Sequence, residues 1–285
     1  MSQKIKLTEC PRDAMQGIHT FIPTEIKAAY INLLLQVGFD TIDFGSFVSP
    51  KAIPQMQDTA EVLKKLDLSS TKSKLLAIIA NYRGAEEAAQ HEEITYLGYP
   101  FSISETFQQR NANTSIEAAF DTVKRINELC FGKNKELLVY LSMGFGNPYG
   151  DEWNVGIIEQ WTEKLVSEGI KTIALSDTVG VATAEQITDI YPAISKHFPE
   201  TEFGLHLHAT PDNWLKKIEA AYKSDCKRFD SALKGYGGCP MAADELTGNI
   251  ATENLIDYLK SQNEQLDLNF DKLQEAMDYS SNVFL

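Results

Sequence analysis

The run Gly237-Gly238-Cys239-Pro240 sets a thiol between two residues without side chains and one rigid residue. Such glycines let a substrate approach the backbone closely and leave the sulfur accessible. Packing as a small buried hydrophobe, the commonest fate of a free cysteine, is the plainer alternative. Three other stretches carry polar groups of the same chemical kind: Arg12-Asp13 in Thr8-Glu9-Cys10-Pro11-Arg12-Asp13, His206-Leu207-His208 closing an apolar run, and Asn249 in Gly248-Asn249-Ile250-Ala251-Thr252-Glu253. Residues two apart on a strand point to one face, so His206 and His208 offer two imidazoles to a single ion while Leu207 faces away. Asp13 and the amide oxygen of Asn249 complete a nitrogen-and-oxygen set that suits Mg²⁺ or Mn²⁺, with zinc also admitted by the imidazoles. For one histidine alone a hydrogen-bonded structural role is the better reading. A same-face pair among only five histidines shifts that balance. Cys239 stays outside the ligand set, because a metal-bound thiolate could not act as an acid. Arg12 remains charged and can donate to an enolate or carboxylate oxygen, its alternative being a surface ion pair with Asp13. Together these parts suit metal-assisted carbon–carbon bond chemistry at a carbonyl.

Short apolar, β-rich runs alternate with longer stretches of helical period, which predicts βα units around a parallel sheet. The expected strands are residues 4–8, 41–44, 74–79, 100–104, 137–142, 172–175, 203–208 and 228–231. Between Pro23 and Val37, Ile26, Ala29, Tyr30, Leu33, Leu34 and Val37 recur at the spacing of one helix face, with Pro23 suited to the first turn and Gly38 to the stop. Similar segments span 115–130, 155–167 and 184–197. Eight such units predict a closed (β/α)8 barrel with a short C-terminal helical extension. The competing doubly wound sheet lacks its Gly-x-Gly-x-x-Gly turn after the first strand. In a barrel, chemistry belongs at the carboxyl ends of strands. Arg12 and Asp13 follow the first, Asp43 and Ser46 end the second, Asp177 follows the sixth, His206 and His208 end the seventh, and Cys239 lies beyond the eighth. Asp43 has a helix-capping alternative and Asp177 a structural turn.

At 285 residues and 43% hydrophobic, the chain is long enough for a single barrel domain over 1–285. A net charge of -14 argues against nucleic acid and anionic membrane as partners, so an anionic substrate must meet a local cation such as Arg12. The first residues lack an apolar signal core and no apolar stretch reaches membrane-spanning length, so a cytoplasmic protein is expected. The four cysteines show no Cys-x-x-Cys spacing and are expected to be reduced.

Across nearly its whole length the chain resembles the hydroxymethylglutaryl-CoA lyases, members of a metal-dependent lyase and Claisen-synthase superfamily built on a TIM barrel. The resemblance runs through residues 9–16, Ser46-Phe47-Val48-Ser49-Pro50-Lys51 with Pro54-Gln55-Met56, Ser176-Asp177-Thr178-Val179-Gly180-Val181, His206-Leu207-His208, Gly237-Gly238-Cys239-Pro240 and residues 248–253. It implies a divalent cation on Asp13, His206, His208 and Asn249, enolate stabilisation by Arg12, and protonation of the departing carbanion equivalent by the loop cysteine, Cys239. His206, or Asp13 through the metal shell, would be the base, with Asp43 a further catalytic candidate. Gln16, Ser46 and Asp177 are the substrate-binding candidates. The implied reaction splits 3-hydroxy-3-methylglutaryl-CoA, or a close acyl-CoA, into acetyl-CoA and acetoacetate. Because barrels of this family often pair, a homodimer is expected too. The chain departs from the family in carrying Asp43 for a glutamate, Ala209-Thr210-Pro211-Asp212 after the second histidine, Ala14-Met15 before Gln16, and Gly17 for an asparagine. A Claisen-type synthase is the nearest alternative, and an inactive binding barrel the alternative from another class. The Gly-Gly-Cys-Pro loop favours the lyase.

Overall fold

The computed structural model describes residues 4–238 and 247–284. Eight parallel strands follow one another around the molecule: β1 (Lys6–Glu9), β2 (Thr41–Ser46), β3 (Lys74–Ile78), β4 (Ile94–Ser102), β5 (Glu136–Ser142), β6 (Thr172–Asp177), β7 (Glu202–Ala209) and β8 (Arg228–Ser231). Each pairs with the next and β8 pairs with β1, so the sheet closes into the (β/α)8 barrel that the alternation predicts. A two-residue strand, β9 (Gly248–Asn249), runs antiparallel to the end of β7 and sets Asn249 opposite His208. No periodicity marks so short a strand.

Local sequence accounts for most of the outer helices. Thr24–Val37 begins directly after Pro23 and ends at Gly38, and Val155–Ser167 starts where Asn154 accepts the Ile157 N–H. Ala184–His197 opens with a reciprocal capping box between Thr183 and Gln186. Ile116–Gly132 follows Ser115, whose hydroxyl accepts the Ala118 N–H. Thr252–Ser261 is the helix that completes the eighth βα unit, and the C-terminal extension comprises Phe270–Tyr279 and Ser281–Phe284. Its first helix docks on Thr24–Val37, where Tyr30 and Tyr279 stack with ring centres 6.5 Å apart. Most strands end within a residue or two of the expected bounds, and the largest departure is β4, which starts at Ile94 rather than Pro100. Gly98 and Pro100 read locally as breakers. In the barrel a side chain at Gly98 would strike Ile78 at 2.6 Å, so that glycine makes room for the packed lumen.

The lumen divides into two halves. Leu76, Ile78, Tyr96, Leu138, Tyr140 and Ala174, from β3 to β6, form one buried apolar cluster. The strands β2, β1, β8 and β7 are consecutive neighbours in the sheet, and they contribute the buried polar residues Asp43, Thr8, Arg228, Asp230, His206 and His208. Register aligns Thr8 with both Thr41 and Asp230, and His206 with Asp230. The mouth on this side of the barrel therefore collects Asp43, Asp230, His206 and His208, although they lie far apart in sequence, while Arg228, at the start of β8, sits at the opposite end beside Thr41 and Glu202.

Candidate active site at the barrel mouth

The site is built from the turn that follows β1. Pro11–Gln16 forms a short helix immediately after the strand, and its spacing puts Arg12, Asp13 and Gln16 on one face. Arg12 Nε lies 3.2 and 3.0 Å from the two Asp43 carboxylate oxygens, and Nη2 lies 2.5 Å from Oδ2. The third nitrogen, Nη1, donates to Asp13 Oδ1 and to Gln16 Oε1, each at 3.0 Å. Gln16 Nε2 closes the ring by donating to Asp13 Oδ1 at 2.7 Å. The planar guanidinium is thus oriented on two sides, a geometry an ammonium could not reproduce. Burial pushes the Asp43 carboxyl up to about 6 against the pull of Arg12. Burial acts the same way on Asp13, but Arg12, the two imidazoles and Asn249 together hold its carboxyl down at about 2. The cap-or-catalyst question for Asp43 has a geometric answer, since its carboxylate clamps Arg12.

The two imidazoles face each other with Nε2 atoms 3.2 Å apart. His208 Nδ1 donates to the Thr178 carbonyl at 2.9 Å, and His206 Nδ1 lies 3.2 Å from Asp230 Oδ2. These outer contacts fix both rings and aim their inner nitrogens at a common point. Burial, then the neighbouring His206, lowers His208 to about 4, so it is neutral near pH 7. Burial alone would lower His206, but the hydrogen bond and charge of Asp230 raise it. With both Nδ1 atoms engaged as donors, two lone pairs would oppose each other at 3.2 Å unless a proton or a cation sat between them. Asp13, His206 and His208 each bring a ligand atom within 4.8 Å of the others. An ionised carboxylate and two oriented imidazoles are a fitting donor set for a divalent cation. Asn249 sits against this set through its nitrogen: Nδ2 donates to Asp13 Oδ2 at 2.7 Å and to the Tyr236 carbonyl at 2.9 Å. These two bonds use the amide nitrogen and leave the amide oxygen, the atom expected to ligate, with its lone pairs free.

Other expected site residues stand elsewhere. Ser46 lines a cavity of about 360 Å³ beside the ends of β2 and β3, together with Ser49, Asn81 and Arg83. Asp177 does not join the cluster. Strand alternation turns it toward the outer layer, where its carboxylate meets Lys217 Nζ at 2.6 Å and accepts the Ala182 N–H at 2.9 Å. Lys217 also donates to the carbonyls of His208 and Gly180, at 2.7 and 3.0 Å. Asp177 is thus the structural turn residue of the alternative reading, and it holds the end of β7 through Lys217. Cys239 lies outside the described residues. The loop entering it shows why glycines stand there, since Gly237 has φ +84° and a side chain on it would meet the Asp13 carbonyl at 2.6 Å. Gly238, at φ +121°, lies against the Thr247 carbonyl, which a side chain there would meet at 2.9 Å. The loop thus begins in contact with the backbone of Asp13. Asp230 and Lys217 were missed as site-supporting residues. For Asp230, its place two residues after Arg228 on an inward-facing strand was an available signal; for Lys217, a lone lysine on a helix, none existed.

Fold and site together define a class: a (β/α)8 barrel with a carboxylate and two imidazoles converging at its carboxyl-terminal mouth. The HMGL-like family model matches residues 4–279, and the chain belongs to the HMGL-like family. Among curated relatives, the mitochondrial hydroxymethylglutaryl-CoA lyase of Mus musculus is 32% identical over 282 residues, covering 98% of this chain and 85% of that protein. The crystal structure of Bacillus subtilis HMG-CoA lyase superposes with a TM-score of 0.92 at 30% identity, covering 99% of this chain and 95% of that one. An HMG-CoA lyase from Acinetobacter baumannii, solved in complex with coenzyme A and 3-methylmalate, gives a TM-score of 0.90 at 30% identity over 99% of this chain and 93% of that one.

Proposed function

We propose that this chain is a hydroxymethylglutaryl-CoA lyase that uses Mg²⁺ or Mn²⁺. One observation carries the reading: Asp13, His206 and His208 converge within 4.8 Å beside an arginine clamped by Asp43, in a chain whose matched relatives are named for this reaction. Asp13, His206 and His208 would hold the cation, and Asn249, whose Nδ2 fixes the carboxylate of Asp13, would offer its amide oxygen as a further ligand. The cation would polarise substrate oxygens as a Lewis acid. The proton of the tertiary hydroxyl passes to the Asp13 carboxylate, which keeps lone pairs that a cation-bound, Nδ1-protonated His206 lacks. The bond between C2 and C3 then breaks, leaving acetoacetate and the enolate of acetyl-CoA. Arg12 donates to the enolate oxygen from a geometry already fixed by Asp43 and Gln16, so little reorganisation accompanies the charge. Cys239 delivers the proton to C2 and completes acetyl-CoA. We assign the cavity lined by Ser46, Asn81 and Arg83 to part of the acyl-CoA. The buried free thiols Cys10, Cys130 and Cys226 fit a reducing compartment, which supports the cytoplasmic reading.

The test is incubation of the purified protein with a panel of 3-hydroxyacyl-CoAs, before and after chelation, with free acetyl-CoA as the readout. Turnover of 3-hydroxy-3-methylglutaryl-CoA should vanish on chelation and return with Mg²⁺ or Mn²⁺. Full turnover in metal-free protein removes the metal assignment; a better substrate elsewhere in the panel removes the substrate assignment.

A further inference from the structure

We propose that Cys10, Asp230 and His206 form a second cation site, selective for thiophilic ions such as Cd²⁺, whose occupation excludes a cation from Asp13, His206 and His208. Each of the three residues brings a ligand atom within 4.8 Å of the other two. The Cys10 side chain is wholly buried, and its sulfur has only a long 3.8 Å contact to the Thr8 carbonyl, so little holds it from another partner. Thr8, in register with Asp230, buries a hydroxyl that has no hydrogen-bond partner among the described residues. That hydroxyl can receive a water carried in with the ion. The donor set is one sulfur, one nitrogen and one carboxylate, and the sulfur separates soft cations from Mg²⁺ and Mn²⁺.

Exclusion follows from the shared histidine. His206 presents Nδ1 to Asp230 and Nε2 to His208, each at 3.2 Å. A neutral imidazole has one lone pair. An ion on Nδ1 places the ring proton on Nε2, which then cannot ligate an ion beside Asp13 and His208. The exchange balances: the thiol proton leaves to solvent, a sulfur–metal bond forms, and the ring proton moves from Nδ1 to Nε2. The exclusion rests on the metal assignment made above, whereas the sulfur site does not.

The experiment uses metal-free full-length protein carrying Cys239→Ala, which removes the loop thiol as a competing ligand. Cd²⁺ is titrated while the ultraviolet sulfur-to-cadmium charge-transfer band and the bound stoichiometry are followed. Mn²⁺ binding is then measured by electron paramagnetic resonance with and without Cd²⁺. One Cd²⁺ should bind with the band, and Mn²⁺ affinity should fall at least ~10-fold, equivalent to about 1.4 kcal/mol. Adding Cys10→Ala should abolish the band and leave Mn²⁺ binding intact, with Cys10→Ser as the second variant if circular dichroism shows the first misfolded. A band that survives in both variants overturns the site. Mn²⁺ binding equally well to the cadmium-loaded protein overturns the exclusion. If Mn²⁺ fails to bind even the cadmium-free protein, the earlier ligand assignment and the exclusion fall together, and the charge-transfer band still decides the sulfur site.

Discussion

Replacing Lys217 with methionine should unfold the protein more readily than its place on an outer helix suggests. The ammonium is almost wholly buried and makes three bonds: to Asp177 Oδ2 at 2.6 Å, the His208 carbonyl at 2.7 Å and the Gly180 carbonyl at 3.0 Å. Methionine matches the length of the stem but leaves the Asp177 carboxylate without a counter-ion and two carbonyls without their donor. Removing one partner of a buried ion pair typically costs about 3–5 kcal/mol. At about 2 °C per kcal/mol for a chain of this size, Tm should fall by roughly 6–10 °C. Adding Asp177→Asn removes the stranded charge and can still accept the Ala182 N–H, so the double variant should recover at least about 1 kcal/mol relative to the sum of the singles. Because Lys217 also fixes the His208 carbonyl, Mn²⁺ affinity in Lys217→Met should drop by about 10-fold or more, as when an outer partner of a metal ligand is lost. Denaturant melts and equilibrium Mn²⁺ binding read both effects. Strictly additive single variants, or a Tm within about 2 °C of the wild type, would refute a structural Asp177–Lys217 pair. Asp177→Asn raising KM without lowering Tm would instead return Asp177 to substrate binding.

Glu9 offers a pH test. Burial pushes its carboxyl from an ordinary 4.5 up to about 8, and it faces the Leu233 N–H and the Thr252 hydroxyl. The folded state then binds the proton more tightly than the unfolded state, so this contribution is complete below pH 4.5 and is lost as pH rises toward 8. Glu9→Gln should flatten that slope in denaturant melts run between pH 5 and 8.5, and an unchanged slope would reject the assignment. Arg12→Lys cannot engage Asp43, Asp13 and Gln16 together, so kcat should fall by about 10²–10³ with KM little changed; a purely KM effect would contradict enolate stabilisation. Cys239→Ser should lower kcat by about 10² or more with Tm nearly constant, and wild-type turnover in that variant would end its role as an acid.

Much of the barrel was legible because βα alternation is a local property. Val155–Ser167 and Ala184–His197 have the expected bounds, since apolar period and the caps at Asn154 and Thr183 lie within a few residues of each other. The strand-end rule placed Arg12, Asp13, Asp43, His206 and His208 at one end of the barrel before any distance was known, and the parity of His206 and His208 put both rings on one face. Chemical pairing was a different matter. That Asp43 holds Arg12, that Asp230 faces His206 and that Asp177 is consumed by Lys217 depends on contacts 24 to 40 residues apart in the chain. Only closure of the sheet, with β2, β1, β8 and β7 as neighbours, decides those contacts. The sequence shows which groups carry charge and which strand face each occupies. Which charge meets which in a water-poor interior, and hence which carboxyl rests near 2 and which near 6, is set by distances of a few ångströms that no local pattern encodes.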